Sequence, residues 1–219
     1  MKEVVKRHSK VIESITNNLK GIISHTDDDL TDQQLLDLVE NNVFENQYIS
    51  IIDYCDISEL ITAIFLRVSS KYSILSTYLE DANINEIMAN GPEHIFIEKN
   101  KKIVEVDNAF YSDDELEGLI RMFASDVHRE INEANPIVDA RLDNGYRVNG
   151  VLKNVALNGP ILTIRKFTND EITLDDLVNN GTMPRDCSEF LSRLVTAKYN
   201  FFISGGTSSG KTTFLNALS

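Results

Sequence analysis

The sequence predicts an α+β N-terminal domain, made of a helical leader and a small antiparallel sheet with one helix, followed by the start of an α/β domain. Three observations predict it. Apolar residues recur at helical spacing through residues 1–80, and the pattern switches to period two across 81–167. After a polar stretch, a short apolar run then leads into a glycine-rich loop and an apolar-faced helix.

The leader comes first. Val4, Val5, Val11, Ile12, Ile15, Leu19, Ile22 and Ile23 fall on one helical face. Thr31 with Gln34 forms a capping box before Leu35, Leu38 and Val39, and Asp56 with Glu59 imitates one before Leu60, Ile61 and Ile64. In the second region, Ile87–Asn90, a Gly91-Pro92 turn, His94–Glu98 and Lys102–Val106 read as short antiparallel strands. Ser112 with Glu115 caps a helix carrying Leu116, Leu119, Ile120, Phe123 and Val127. Strands resume at Ile137–Leu142, turn at Asp143-Asn144-Gly145, return through Tyr146–Leu152, and end with Ile161–Phe167. Residues 168–183, rich in Asn, Asp, Thr and Gly, read as an interdomain linker. From Pro184 a helix is expected to about Tyr199, and Asn200–Ser204 reads as a short buried strand opening the last region, 184–219.

Charge and cysteine content narrow the classes. The net charge is −13, and from Gly21 to Leu66 there are ten Asp and Glu and no Lys or Arg. Such a surface repels phosphate backbones and anionic lipid, so nucleic acid and bare membrane are poor partners. The most apolar stretch, Leu60–Val68, is interrupted by Arg67 and is too short to span a bilayer. Cys55 and Cys187 are scattered, as reduced thiols are. With no signal core at the N-terminus, the expected location is cytoplasmic. His8, His25, His94 and His128 lack metal-ligand spacing, and Asp27-Asp28-Asp29 lacks that of a calcium loop.

The chemistry-bearing motif is Gly205-Gly206-Thr207-Ser208-Ser209-Gly210-Lys211-Thr212, which matches G-x-x-x-x-G-K-[ST]. Its glycines let consecutive backbone N–H groups turn inward as an anion nest, and the helix that follows adds its positive dipole end. In such a loop Lys211 reaches the β- and γ-phosphates of ATP, the Thr212 hydroxyl ligates Mg²⁺, and Thr213 touches the α-phosphate. The apolar Phe201-Phe202-Ile203 before it and Phe214, Leu215 and Leu218 after it supply the strand–loop–helix context.

From about residue 80 onward the sequence resembles the secretion ATPases of type II and type IV systems, most of all the branch serving tight-adherence (Flp) pilus assembly. The likeness rests on Ile84-Asn85-Glu86-Ile87-Met88-Ala89-Asn90-Gly91-Pro92, Pro136–Leu142, Tyr146-Arg147-Val148-Asn149, Gly159-Pro160, Thr163-Ile164-Arg165-Lys166-Phe167 and the P-loop. The resemblance implies a hexameric ring that couples ATP hydrolysis to protein export or pilin assembly, docked on an inner-membrane platform protein. It implies a RecA-like C-terminal domain, with ATP between the two domains. Arginines of the N-terminal domain would reach the phosphates: Arg147 and Arg165 by motif match, and Arg141 beside them. In that family the Walker B acid and the catalytic glutamate lie beyond the P-loop. The 219 residues are therefore expected to hold nucleotide weakly with negligible turnover. Two other roles stay open: a non-catalytic assembly module, and an ATPase of the conjugation or pilus-retraction type.

Overall fold

A computed structural model describes residues 1–25, 30–166, 172–206 and 209–218. The Asp27–Asp29 run, Phe167, the start of the 168–183 stretch, and Thr207 and Ser208 lie outside the described residues. The chain divides into two compact units, Met1–Phe167 and Thr168–Ser219.

The first unit opens with helices α1 (Lys2–Arg7), α2 (Ser9–Ser24), α3 (Asp32–Phe44) and α4 (Tyr54–Val68), and with the single turn α5 (Ser76–Glu80). Val5, Ile12, Leu19, Val39, Val43, Leu60 and Ile64 are fully buried in one cluster. Each such side chain contributes about 1.5–3 kcal/mol of transfer free energy. The Thr31 box forms as expected: Thr31 Oγ1 accepts the Gln34 N–H, and the Gln34 side chain accepts the Thr31 N–H at 2.9 Å. The Asp56 box does not form. Helix α4 starts a turn earlier, with Asp53 before it, so Asp56 sits inside the first turn. Arg7 Nη1 donates to its carboxylate at 2.6 Å, and His8 Nε2 lies 2.9 Å away. The His8 contact, with Arg7 beside it, holds the Asp56 carboxyl below its usual range. A charged tertiary partner outbids a local cap here, because a charge-assisted hydrogen bond is the stronger one.

The sheet follows: β1 (Ile84–Asn90), β2 (Ile95–Lys99), β3 (Lys102–Glu105), then helix α6 (Asp113–Asp126), β4 (Ile137–Arg141), β5 (Arg147–Val151) and β6 (Ile161–Arg165). Its order is β3-β2-β1-β6-β5-β4 and every pairing is antiparallel. Ser112 Oγ caps α6 by accepting the Glu115 N–H at 3.2 Å. Leu116, Ile120 and Phe123 of α6 join Ile87, Val148, Leu162 and Ile164 in a second core. Helix α6 therefore covers one face of the sheet, and the alternation of the strands leaves a mixed face on the other, where Glu86, Arg147 and Arg165 share the surface with Met88, Phe96, Val151 and Ile161.

The helical leader and the sheet are fastened by a buried ion pair. Arg67 is fully buried; its Nε donates to Glu115 Oε1 at 2.7 Å, and its Nη1 and Nη2 donate to the Ala63 and Ala109 carbonyls at 2.7 Å each. Glu115 Oε2 also accepts the Tyr111 N–H at 2.6 Å. All these donors and acceptors find partners, which is the condition for tolerating charge in a core.

In the second unit the stretch read as a linker contains a helix, α7 (Leu174–Asn179), followed by α8 (Arg185–Thr196) and α9 (Lys211–Leu218). Thr173 and Asp176 form a capping box at the start of α7, and Leu177 and Met183 are buried. The expected strand Asn200–Ser204 is not paired, and Phe202 is 95% exposed. A parallel strand of this apolar kind needs neighbours on both edges, and the described residues of this unit hold none.

Candidate nucleotide-phosphate site

Helix α9 begins at Lys211, and its first turn closes when the Phe214 N–H donates to the Gly210 carbonyl at 2.8 Å. The Lys211 ammonium folds back over the loop, donating to the Gly205 carbonyl at 2.9 Å and to the Gly206 carbonyl. A Cβ at Gly205 would stand 2.6 Å from Ser209 Oγ, so any larger residue there would make the Ser209 hydroxyl shift. The residues present therefore fit a phosphate group. Gly210 leads into a helix N-terminus at Lys211, whose ammonium sits on neutral carbonyl acceptors that a phosphate oxygen would displace.

The loop borders a cavity of about 450 Å³ lined by Ser209, Gly210, Lys211 and Thr213, and on its other side by residues of α7 and its C-terminal turn. Thr213 is thus brought to the cavity, whereas Thr212, the expected Mg²⁺ ligand, is exposed and not part of the lining. Reading 168–183 as linker missed the α7 contribution. The signal was present in Thr173-x-x-Asp176, the apolar Leu177 and Val178, and Gly181 just beyond, which is a capped helix with a glycine stop.

The arginines lie in the other unit and form a row. Arg141 on β4 is directly opposite Arg147 on β5, and Arg147 is opposite Arg165 on β6, which in turn faces Glu86 on β1. Residues in register share a face, so the three guanidinium groups lie on the mixed face of the sheet. Arg147 grips Asp139 with two hydrogen bonds, 3.1 Å from Nε and 2.8 Å from Nη2, and this contact lowers the Asp139 pKa and raises that of Arg147. Arg141 Nε donates to the Gly145 carbonyl at 3.3 Å. Lys166, pointing the opposite way from Arg165, is buried and donates to the Asp81 carbonyl at 2.7 Å, with its pKa lowered by burial. Among the described residues no group of three or more His, Cys, Asp or Glu is placed to hold a metal ion. No helix there is long and apolar enough to cross a membrane.

Comparison with known proteins places this geometry in context. The family model described as "Type II/IV secretion system protein" matches residues 69–219. The chain is 31% identical over 228 residues to the uncharacterized protein MJ0781 of Methanocaldococcus jannaschii, covering 99% of this chain and 31% of that protein. It is 33% identical to the conjugal transfer protein TrbB of Rhizobium radiobacter, covering 66% of this chain and 44% of TrbB. The VirB11 ATPase of the Brucella suis type IV secretion system, solved with sulphate, superposes with a TM-score of 0.44 at 25% identity, covering 66% of this chain and 50% of that one. The chain spans a third to a half of the length of these relatives.

Proposed function

We propose a role that starts from family membership: the chain belongs to the type II/IV secretion system protein family. Within it, the chain is the ATP-binding portion of a motor subunit that couples ATP hydrolysis to protein export or pilus assembly. The observation that carries this reading is the Lys211 ammonium donating to the Gly205 and Gly206 carbonyls beside a cavity that Lys211 itself lines.

ATP with Mg²⁺ supplies the transferable phosphoryl group. Backbone N–H groups at the α9 N-terminus would hold the phosphate oxygens, and Lys211, which donates to the Gly205 and Gly206 carbonyls, would donate to them instead. Thr212 would offer its hydroxyl to the cation, and Thr213, which lines the cavity, would meet the α-phosphate. The arginine row serves the terminal phosphate, where charge builds during transfer. Like charges placed directly opposite one another weaken a sheet, and a row of three fits a role in meeting an anion. Assembly as a hexamer, docking on an inner-membrane platform protein and a cytoplasmic location complete the proposal. Service to a tight-adherence pilus is its finer form; a conjugation role is the alternative that the likeness to TrbB supports.

Isothermal titration of the 219-residue chain with MgATP should show saturable, weak binding that Lys211→Ala abolishes, with negligible phosphate release. Steady phosphate release lost in Lys211→Ala would show that the chain carries its own catalytic acids. No binding at millimolar ATP would sink the site assignment.

A further inference from the structure

We infer that the groove between the start of α2 and the α3–α4 connection is a docking site for a short acidic, amphipathic segment of another protein. Lys10 meets the carboxylates of that segment, and Tyr48 and Ile51 cover its apolar side chains. The groove belongs to the helical leader and owes nothing to the nucleotide assignment. Its volume is about 750 Å³. The lining comes from two stretches of chain. One, from the α1–α2 junction onward, brings Arg7, His8 and Lys10; the other, the 3₁₀ turn Ile49–Ile51 with its flanks, brings Tyr48, Ile51 and Ile52. Among the described residues no carboxylate lines it. Helix α2 adds charge of the same sign, since its first turn holds no acid and no side chain caps it. The positive end of its dipole is left for an incoming anion.

Both stretches are anchored from behind. Arg7 Nη1 and His8 Nε2 lie 2.6 and 2.9 Å from the Asp56 carboxylate, which ties the α1–α2 junction to α4. Ile52 is buried in the leader core and holds the 3₁₀ turn. Lys10 stays exposed, without an ion pair among the described residues, and Ile51 is 78% and Tyr48 47% exposed. Phe44 and Tyr54, at the two ends of the same connection, are exposed as well. Large apolar side chains left exposed together in one connection mark an interaction surface. The sign of the occupant follows from the surroundings. The chain carries a net charge of −13, and Gly21 to Leu66 holds ten acids and no Lys or Arg. An acidic segment is repelled over most of that surface and attracted at Lys10, which fixes where it binds. A basic segment would be drawn to the acidic stretch instead. An anionic bilayer would press its charge against the acids as well as against Lys10.

The test selects a displayed library of random dodecapeptides on the 219-residue chain and measures the selected peptides, as fluorescent conjugates, by polarization. They should combine Asp or Glu with Leu, Ile or Phe, and bind more weakly as salt rises. Lys10→Glu and Ile51→Ser should each weaken them by about tenfold or more. Both side chains are exposed, so the melting temperature should stay within error in either variant. Selection of basic or wholly polar peptides, or of none, would overturn the proposal. Acidic peptides indifferent to either variant bind elsewhere, which would overturn it too. Two further measurements address other occupants. If the chain dimerises in sedimentation and Ile51→Ser returns it to monomer, the groove is a contact between copies. If the chain pellets with phosphatidylglycerol vesicles and Lys10→Glu abolishes this, it is a lipid site. Either result would replace the acidic segment.

Discussion

Arg67 sits in the most apolar stretch of the chain and is 0% exposed. Its value to the fold lies less in the attraction to Glu115 than in what its removal would leave behind, a buried carboxylate without a counter-charge. Burial already raises the Glu115 pKa, with Arg67 opposing. Truncation to Arg67→Ala should cost about 3–5 kcal/mol in urea unfolding, whereas an apolar pair at both positions should cost far less. Asp81 illustrates the opposite, exposed case. The hydrogen bonds from Lys99 and Asn83 lower its pKa from 3.8 to about 2. A depressed acid stabilises the fold above its unfolded-state pKa, and that contribution disappears as pH falls through the folded value. Asp81→Asn should therefore lower the melting temperature at pH 7, by an amount that shrinks as pH falls through about 2. Arg147 and Asp139 are both largely exposed, so solvent screening leaves their pair little weight in stability. Arg147→Ala and Arg165→Ala should leave melting nearly unchanged. A sharp fall in melting temperature for Arg165→Ala, with ATP affinity unaltered in a chain extended to its relatives' length, would mark that residue as structural.

At the scale of elements, α7 decides how the second unit is understood. It is only six residues long, too short to persist by propensity alone, and it depends on its two ends. The Thr173–Asp176 box satisfies the first N–H groups, and the glycine corner satisfies the last carbonyls. A Cβ at Gly181 would meet nothing within 4 Å, so Gly181→Ala is penalised by backbone conformation alone. The expected cost is about 1–2 kcal/mol, read as faster amide exchange at Thr182 and Met183 with no change in β1. Helix α8 shows the unit's thinner packing: Phe190, on its predicted apolar face, remains 60% exposed.

Across the whole molecule, protection should be uneven. The first unit holds two apolar cores joined through Arg67, and its sheet pairs every strand. Among its described residues the second has three helices and an apolar segment without strand pairing, in which Phe201 and Phe202 are exposed. Amides of Phe201 to Ser204 should exchange within seconds in a dilute sample, while those of β1 and β6 are slow. Strong protection of 201–204 would mean that a second copy or another chain pairs with that segment, as unpaired strand edges invite.

What the sequence determined by itself was what depends on neighbours near in the chain. The Thr31 and Ser112 caps, the period-two strands and the turn at Asn144-Gly145 were all legible, because hydrogen bonds a few residues apart produce them. The tertiary structure decided what depends on distant partners. Arg7 and His8 took Asp56 away from its cap. Pairing of β1 with β6 set the strand order and the register that aligns Arg147 and Arg165. Asn200–Ser204 stayed unpaired although its composition suits a buried strand, since a strand exists only through the partners that satisfy its backbone. The cavity wall built by α7 also belongs to this second kind: its capping signals can be read locally, but its place beside Lys211 comes from packing that no local pattern encodes.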